Sequence, residues 1–282
     1  MQKSHIYKPV DYLLIGHITH DKREHGFTPG GTVTFSGLTA RALGRKVGIV
    51  TSGEKGIDTS FLKDIQVHVV SAKATTSFKN VITPEGRVQY AYAKAANLNL
   101  ASIPEEWRNA PIVHLGPVLQ EIDQALVGAF QDSFVGVTPQ GWLRSVDAEH
   151  HVNFKKWTQG PAKLAPSDAV ILSVEDVRGD ENYIEELATN CKILVVTEGY
   201  NGSRLYWNND VRRFTAPKVQ EVDPTGAGDI FAASFFTRMA ETNDPWESAR
   251  FATAIASLSV SRAGLHGIPT KAEINRIRVE VL

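Results

Sequence analysis

The chain has 282 residues, enough for about two average domains or one large α/β domain. Lys and Arg number 30 against 31 Asp and Glu, so the net charge of −1 argues against a protein that mainly coats nucleic acid or anionic membranes. A hydrophobic fraction of 42% supports a packed core, and the single cysteine, Cys191, excludes an internal disulfide and a cysteine-built zinc site.

The first ten residues contain Lys3, His5 and Lys8 and lack the apolar run of a signal peptide. No stretch approaches the roughly 18 consecutive apolar residues of a membrane span. The sequence therefore predicts a cytoplasmic protein without a membrane partner.

Short apolar runs alternate with amphipathic stretches along the chain. The amphipathic stretches predict helices: one carries Phe35 and Leu38 and ends at Gly44, and others lie over 122–130 and 183–187. The runs predict buried strands at 12–15, 46–50, 67–70, 112–115, 134–137, 169–172 and 193–196. This alternation predicts an α/β fold with a mostly parallel sheet covered on both faces.

Residues 75–100 break the rhythm. Two weakly alternating segments flank the turn residues Pro84-Glu85-Gly86, which predicts a β-hairpin. The hairpin is either an ornamental extension or a lid, because ligands of open α/β sheets bind beyond the carboxyl ends of the strands and need cover. The polar segment 142–163 is interpreted as a surface excursion.

The segment 222–231, Val-Asp-Pro-Thr-Gly-Ala-Gly-Asp-Ile-Phe, carries the chemistry. Phe231, Phe235 and Met239 recur at helical spacing, so a helix begins near Asp229. The N–H groups of Gly226, Ala227 and Gly228, together with the helix dipole, form an anion site. Asp229 at its rim is suited to accept a proton from a hydroxyl that attacks a phosphate. The alternative is a simple Asp N-cap.

Two features near the N-terminus add to this. Gly30-Gly31 precedes a helix, where only glycine lets a ligand approach the backbone closely. Asp21 follows the first strand, where a carboxylate could bind hydroxyls.

Together these residues resemble the ribokinase-like, PfkB family of carbohydrate kinases over roughly residues 10–270. The pattern Asp223-x-Thr225-Gly226-Ala227-Gly228-Asp229-x-Phe231 matches the family's C-terminal signature, and Gly30-Gly31 matches its N-terminal signature region. The resemblance implies a single three-layer α/β domain over 1–282, with a mostly parallel central sheet and a small β lid at about 75–100.

The resemblance also implies an activity and a set of roles. Asp229 would be the general base, and the backbone of Gly226, Ala227 and Gly228 would stabilise the transferring phosphoryl group of ATP. The acceptor would be a small sugar or cyclic polyol held by Asp21, Gly30, Gly31, Arg144 and the hairpin residues Phe78, Asn80, Gln89 and Tyr92. The nucleotide would lie against Thr197, Gly199, Gly202, Thr225, Thr253 and Gly264.

One departure concerns the metal. Many relatives place Asn-x-x-Glu after a central strand to order Mg²⁺, but this chain has Ser173-Val174-Glu175-Asp176. Glu175 and Asp176 would supply the acidic group, or they merely begin a helix. Asp223 is a candidate ligand for the monovalent cation, such as K⁺, that many relatives use, or alternatively a turn residue.

The acceptor is left open by the sequence. His114-Leu115-Gly116-Pro117 and residues 139–144 look like segments of the myo-inositol-kinase-like branch, so myo-inositol is the leading prediction. Alternatives are a nucleoside or vitamin-precursor kinase of the same fold and a non-catalytic sugar- or nucleotide-sensing relative. A monomer or a homodimer is expected, with no nucleic-acid partner. His114 is interpreted as a hydrogen-bonded core residue and Cys191 as a small apolar filler.

Overall fold

The structure is a computed structural model that describes residues 7–83 and 86–281. Its strands are β1 (Tyr12–Ile15), β2 (Thr19–Lys22), β3 (Phe27–Gly30), β4 (Val47–Gly53), β5 (Gln66–Ser71), β6 (Ser77–Thr83), β7 (Gly86–Ala93), β8 (Ile112–Leu115), β9 (Phe134–Val137), β10 (Arg144–Val146), β11 (Val152–Phe154), β12 (Ala169–Ser173), β13 (Ile193–Thr197), β14 (Ser203–Trp207) and β15 (Asp210–Phe214). Its α-helices are α1 (Thr32–Ala42), α2 (Gly160–Leu164), α3 (Glu181–Asn190), α4 (Ala227–Thr242), α5 (Pro245–Ser259) and α6 (Lys271–Val281).

The central sheet has nine strands over the described ranges, in the order β15-β14-β13-β12-β9-β8-β1-β4-β5. The strands from β13 to β5 pair in parallel, while β14 and β15 add an antiparallel edge. All seven predicted strands are present, and the strands at 12–15, 112–115 and 134–137 have the predicted bounds. Their continuous apolar runs are explained by burial on both faces of the sheet.

Each face of the central sheet carries its own apolar core. Leu13 and Ile15 point to the side of α2 and α3, where they join Tyr183 and Leu187. Tyr12 and Leu14 point to the opposite side and pack with residues of α1, α4 and α5. Because successive side chains of a strand alternate between faces, the four-residue run of β1 supplies both cores. The result is the expected three-layer α/β architecture.

A second sheet, here called the outer sheet, has the strand order β3-β2-β6-β7. The predicted hairpin is confirmed as the antiparallel pair β6–β7, although its turn residues Pro84 and Glu85 lie outside the described residues. The sequence missed that β2 pairs in parallel with β6, which doubles the size of the layer. Non-local pairing of this kind leaves no pattern in a local stretch of sequence.

Two other predictions were wrong in part. The stretch 122–130 contains a five-residue 3₁₀-helix, Gln124–Gly128, instead of an amphipathic α-helix. The segment 142–163 holds the β10–β11 hairpin, and an isolated bridge joins His151 to Tyr90 of the outer sheet. Polar composition concealed this hairpin, because its strands have only three residues each.

Among the described residues, no helix combines the length and the apolar character needed to cross a membrane.

Candidate active site

A cavity of about 1230 Å³ lies over the carboxyl ends of β1, β8, β9, β12 and β13. Ligand sites for one small molecule usually measure about 300–1000 Å³, so this cavity has room for a donor and an acceptor together. Its position is the one expected for a doubly wound sheet, because parallel strands end there and their connecting loops diverge.

Two helix N-termini meet at this cavity. The Ser36 hydroxyl of α1 donates to the Asp229 carbonyl of α4 at 2.9 Å, and the Phe35 ring lies beneath Gly226. Neither helix has a side-chain cap, so several N–H groups of the two first turns lack a side-chain acceptor. The positive ends of two helix dipoles therefore point at one space, which favours an anion.

The loop before α4 is a tight turn. The N–H of Ala227 donates to the Pro224 carbonyl at 3.2 Å, and Gly226 has φ 81° and ψ −1°, the angles of the third residue in a type II turn. The Ala227 amide is thus engaged in the turn, although Ala227 lines the cavity, and its place in the anion site stays a prediction. Among the described residues, the N–H groups of Gly226, Gly228 and Asp229 have no protein acceptor.

Gly228 differs from Gly226 in what surrounds it. A Cβ at Gly226 would overlap the Phe35 ring, whereas a Cβ at Gly228 would meet nothing within 4 Å. The space beside Gly228 belongs to the cavity, so a ligand can approach its backbone closely.

The carboxyl group of Asp229 lies in the cavity wall, partly exposed to the cavity but surrounded by protein. Burial raises its pKa to about 6; a hydrogen bond from Thr32 lowers the pKa, the charge of Asp176 raises it and that of Arg144 lowers it. A carboxyl with a pKa near 6 is ionised at neutral pH and is a stronger base than an ordinary aspartate. Thr32 was missed in the sequence, because a threonine at a helix start is too common to stand out.

The predicted acceptor residues divide into two groups. Asp21, Gly31, Phe78, Gln89 and Arg144 all line the cavity. Arg144 lies 5.9 Å from the centre of the Phe78 ring and donates to the Val118 carbonyl at 3.0 Å.

The remaining three predicted acceptor residues, Gly30, Asn80 and Tyr92, are not among the lining residues. Asn80 accepts a hydrogen bond from Gln89 at 3.0 Å, so it can position that side chain. Tyr92 is half exposed beside a separate groove, because side chains alternate along β7 and its direction is opposite to that of Gln89. Gly30 lies against Thr19 and Asp21.

Of the predicted nucleotide residues, all but one line the cavity: Thr197, Gly199, Gly202, Thr225 and Thr253. Gly264 is the exception, since its N–H donates to the Asp223 carboxylate at 2.8 Å.

The other carboxylate oxygen of Asp223 accepts from the Thr225 N–H at 3.0 Å. Partial burial raises the pKa of Asp223, but these hydrogen bonds outweigh it and hold the pKa below its usual value. The structure thus gives Asp223 the role of tying two loops, and the monovalent-cation role stays a prediction.

The two acidic candidates after β12 are in different situations. Both oxygens of Asp176 are engaged, one by the Gln140 amide at 2.8 Å and the other by the Ser173 N–H at 2.9 Å. Asp176 therefore completes the cap of a 3₁₀-helix, Val174–Val177, and is held by the protein itself. Glu175 is exposed and lines the cavity, which makes it the acidic group able to reach a metal ion through water.

Two residues outside the site agree with their interpretation from sequence. His114 is fully buried between the Tyr12 hydroxyl and the Thr138 hydroxyl, each at 3.1 Å, and burial lowers its pKa to about 3. Cys191 is largely enclosed, and burial raises its pKa to about 12.

The comparisons with known proteins agree with this site. Residues 167–271, which include the signature loop, match the model of the pfkB family carbohydrate kinases. Over this stretch the chain is similar to the pfkB family carbohydrate kinases. Together with the ribokinase-like relatives, this match indicates a phosphotransferase with an alcohol group as acceptor, similar to kinases that use ATP.

Relatives and solved structures extend the match to the rest of the chain. A cytidine kinase of Thermococcus kodakarensis is 24% identical over 249 residues, covering 80% of this chain and 87% of that protein. A ribokinase of Staphylococcus aureus is 23% identical over 303 residues, covering 94% and 93%. A pyrophosphate-dependent kinase in the ribokinase family, solved with a pyrophosphate analog and myo-inositol, superposes with a TM-score of 0.77 at 20% identity, covering 94% of this chain and 99% of the other. These matches share the fold but name different substrates.

Proposed function

We propose that this chain transfers the γ-phosphoryl group of ATP to a hydroxyl group of a small sugar or cyclic polyol, with myo-inositol as the leading acceptor. The observation that carries the proposal is the carboxyl group of Asp229, which lies at the N-terminus of α4 beside the unengaged N–H groups of Gly226 and Gly228. A base for a hydroxyl and donors for a phosphoryl group thus share one edge of the cavity.

In the proposed reaction, Asp229 accepts the proton of the acceptor hydroxyl, and the hydroxyl oxygen forms a bond to the γ-phosphorus. The bond from that phosphorus to its bridging oxygen breaks, and ADP leaves. The N–H groups of Gly226, Gly228 and Asp229 stabilise the charge on the transferring group.

The acceptor would lie beneath the outer sheet, which acts as a lid in this proposal. Asp21 and Gln89 offer hydrogen-bonding groups from that sheet, and Arg144 and Asn153 offer groups from the β10–β11 region. A polyol with several hydroxyl groups suits this polar surrounding, because each hydroxyl both donates and accepts.

The exposed carboxylate of Glu175 fits Mg²⁺ held through water, and the ion would neutralise charge on the donor phosphates.

An ATP-consumption screen over sugars, inositols and nucleosides, with Mg²⁺ and K⁺ present, tests the proposal. We expect turnover with one cyclic polyol or sugar. Asp229→Asn should reduce kcat by about 10³-fold or more, since it removes the base, while ATP affinity is retained. Near-wild-type turnover in that variant would falsify the base assignment.

A second candidate, a nucleoside kinase, is favoured by the cytidine kinase relative. It predicts turnover of cytidine or another nucleoside in the same screen and none with inositols. The two candidates share every step at Asp229 and differ only in the acceptor, so the screen decides between them.

A further inference from the structure

Arg178 is an arginine in a backbone conformation that arginine seldom adopts. Its φ of 52° and ψ of 34° place it in the left-handed region. Within the described ranges, the other non-glycine residues with positive φ are Asp64, Gln120, His150, Asn208, Asn209 and Asn243. Asp, Asn and His tolerate this region, which leaves Arg178 and Gln120 as the two unfavourable residue types.

Gln120 has a structural use for its side chain, because its amide donates to the carbonyl of Arg144. Arg178 has none: its guanidinium makes no hydrogen bond, ion pair or ring contact with any residue that the structure describes. A glycine at position 178 would adopt the same backbone with less strain. The described fold thus gives the Arg178 side chain no partner, which leaves it available to a ligand.

The loop around Arg178 is fixed. The N–H of Arg178 donates to the Glu175 carbonyl at 3.1 Å, and that of Gly179 donates to the Val174 carbonyl at 2.9 Å. The side chain consequently starts from a defined point after β12 and lines the cavity. In the strand order, β12 lies between β9 and β13, so this loop lies between the acceptor loops and the nucleotide loops. In the proposed function, a donor that spans the cavity would carry its phosphates past this point.

The charges of the cavity explain what Arg178 would bind. Its cationic lining residues among those described are Arg144, Arg178 and Lys218. Arg144 is at the acceptor end against Phe78, and Lys218 is exposed on a segment without regular structure between β15 and α4. Arg178 is exposed as well, but it starts from a hydrogen-bonded loop in the middle of the cavity, whereas Lys218 lies on a segment without regular structure. Guanidinium groups bind phosphate oxygens in a bidentate manner.

The base end of the cavity combines apolar surface with polar side chains that are either engaged with one another or exposed, such as Asn201 and Thr215. The hydroxyls of Thr253 and Ser203 hydrogen-bond to each other at 2.9 Å, and the Ser257 hydroxyl donates to the Thr253 carbonyl at 2.7 Å. The remaining contacts there include the side chains of Val219 and Val260 and the exposed Tyr200, which provide apolar surface. None of the three buried hydroxyls is left without a partner to read the base, whereas Arg178 at the centre of the cavity has no partner among the described residues.

We propose that Arg178 binds the polyphosphate of the donor and that this donor site selects the polyphosphate chain more strongly than the base. The inference rests on the proposed function, because it assumes that a phosphoryl donor occupies the cavity. It adds a donor-binding residue and a substrate class: donors with different bases, and base-free polyphosphates, bind through the same contact.

Calorimetric titration without acceptor tests this, with Mg²⁺ present and with ATP, inorganic tripolyphosphate and adenosine as three separate probes. Arg178→Gly and Arg178→Gln should weaken the binding of ATP and of tripolyphosphate by the same factor. We expect a factor of about 10 to 100, which is the range for charge-assisted hydrogen bonds. Adenosine affinity should stay unchanged. Arg276→Gln is the matched control, since Arg276 lies on α6 outside the cavity and its side chain is 59% exposed.

A thermal melt separates a binding role from a structural one. Arg178→Gly should melt at the wild-type temperature or above, because it relieves the left-handed backbone while it removes the phosphate contact. Tripolyphosphate affinity within twofold of wild type in both variants, or an equal loss of adenosine affinity, would overturn the proposal. If the wild type transfers phosphate in that case, the proposed function stands and only the role of Arg178 fails. If the wild type binds neither ATP nor tripolyphosphate, both fail.

Discussion

The two glycine loops of the cavity look alike in sequence but have different constraints. Gly31 precedes α1 and Gly226 precedes α4, and both have positive φ at a helix start without a side-chain cap. A Cβ at Gly31 would overlap the carbonyl of His17, and one at Gly226 would overlap the Phe35 ring. A Cβ at Gly228 would enter open space in the cavity.

The difference separates two reasons for a glycine. Gly31 and Gly226 are needed by the protein, because the backbone angles and the neighbouring atoms leave no room for a side chain. In the proposed function Gly228 is needed by the ligand, because only the transferring phosphoryl group would meet a methyl group there. Substitutions should therefore act on stability in one loop and on turnover in the other.

The largest effect is expected from Gly31→Ala. Gly31 has φ 87° and ψ 153°, a region essentially restricted to glycine, and the added methyl group would collide with main chain. We expect a loss of roughly 3 kcal/mol or more in the free energy of unfolding. Urea denaturation followed by circular dichroism measures it. A Gly31→Ala variant as stable as the wild type would contradict the conclusion that the fold requires glycine at position 31.

Gly228→Ala should do the reverse. The fold should keep its melting temperature, while kcat falls by about 10²-fold because a methyl group occupies the proposed phosphoryl position. Gly128→Ala is the matched control: its Cβ would lie 3.9 Å from Pro166, outside the cavity, and neither property should change. Full turnover in Gly228→Ala would contradict the proposal that the ligand, and not the fold, requires glycine at position 228.

The pH dependence links both loops, since Thr32 of one and Asp229 of the other share a hydrogen bond. We expect kcat/KM of the free enzyme to fall tenfold per pH unit below a midpoint near 6, because only ionised Asp229 accepts a proton.

The same residue has a stability effect of defined sign. Its pKa is raised on folding from 3.8 to about 6, so the fold disfavours the ionised form above pH 6. Asp229→Asn should therefore melt at a higher temperature than wild type at pH 8. This gain in melting temperature should fade as the pH falls from 6 to 4. An equal gain at pH 8 and at pH 4 would contradict the raised pKa of Asp229.

The smallest effect is expected from Thr32→Val, which removes the hydrogen bond that lowers the pKa of Asp229. The acid midpoint of kcat/KM should move upward by less than about one unit, as expected for the loss of one hydrogen bond. Thr34→Val is the control on the same helix, because its hydroxyl donates to the Gly30 carbonyl at 2.6 Å and not to Asp229. An unchanged midpoint in Thr32→Val would show that the two loops are not coupled.

The sequence predicted the parts of the molecule that depend on neighbouring residues. Apolar runs predicted all seven parallel strands, because six of them lie inside the sheet, where a strand buried on both faces is mostly apolar. Turn residues between alternating segments predicted the β6–β7 hairpin, and the glycines with Asp229 predicted the cavity edge at α4.

Tertiary structure alone decided the rest, because those features join residues far apart in the chain. The pairing of β2 with β6, the hydrogen bond from Thr32 to Asp229, and the burial that raises the pKa of Asp229 have no local signal. Packing directed Gln89 into the cavity and Tyr92 out of it, and it engaged both oxygens of Asp176 and of Asp223. A sequence states which residue types a site contains, while distances and burial determine which of them remain free to bind a ligand.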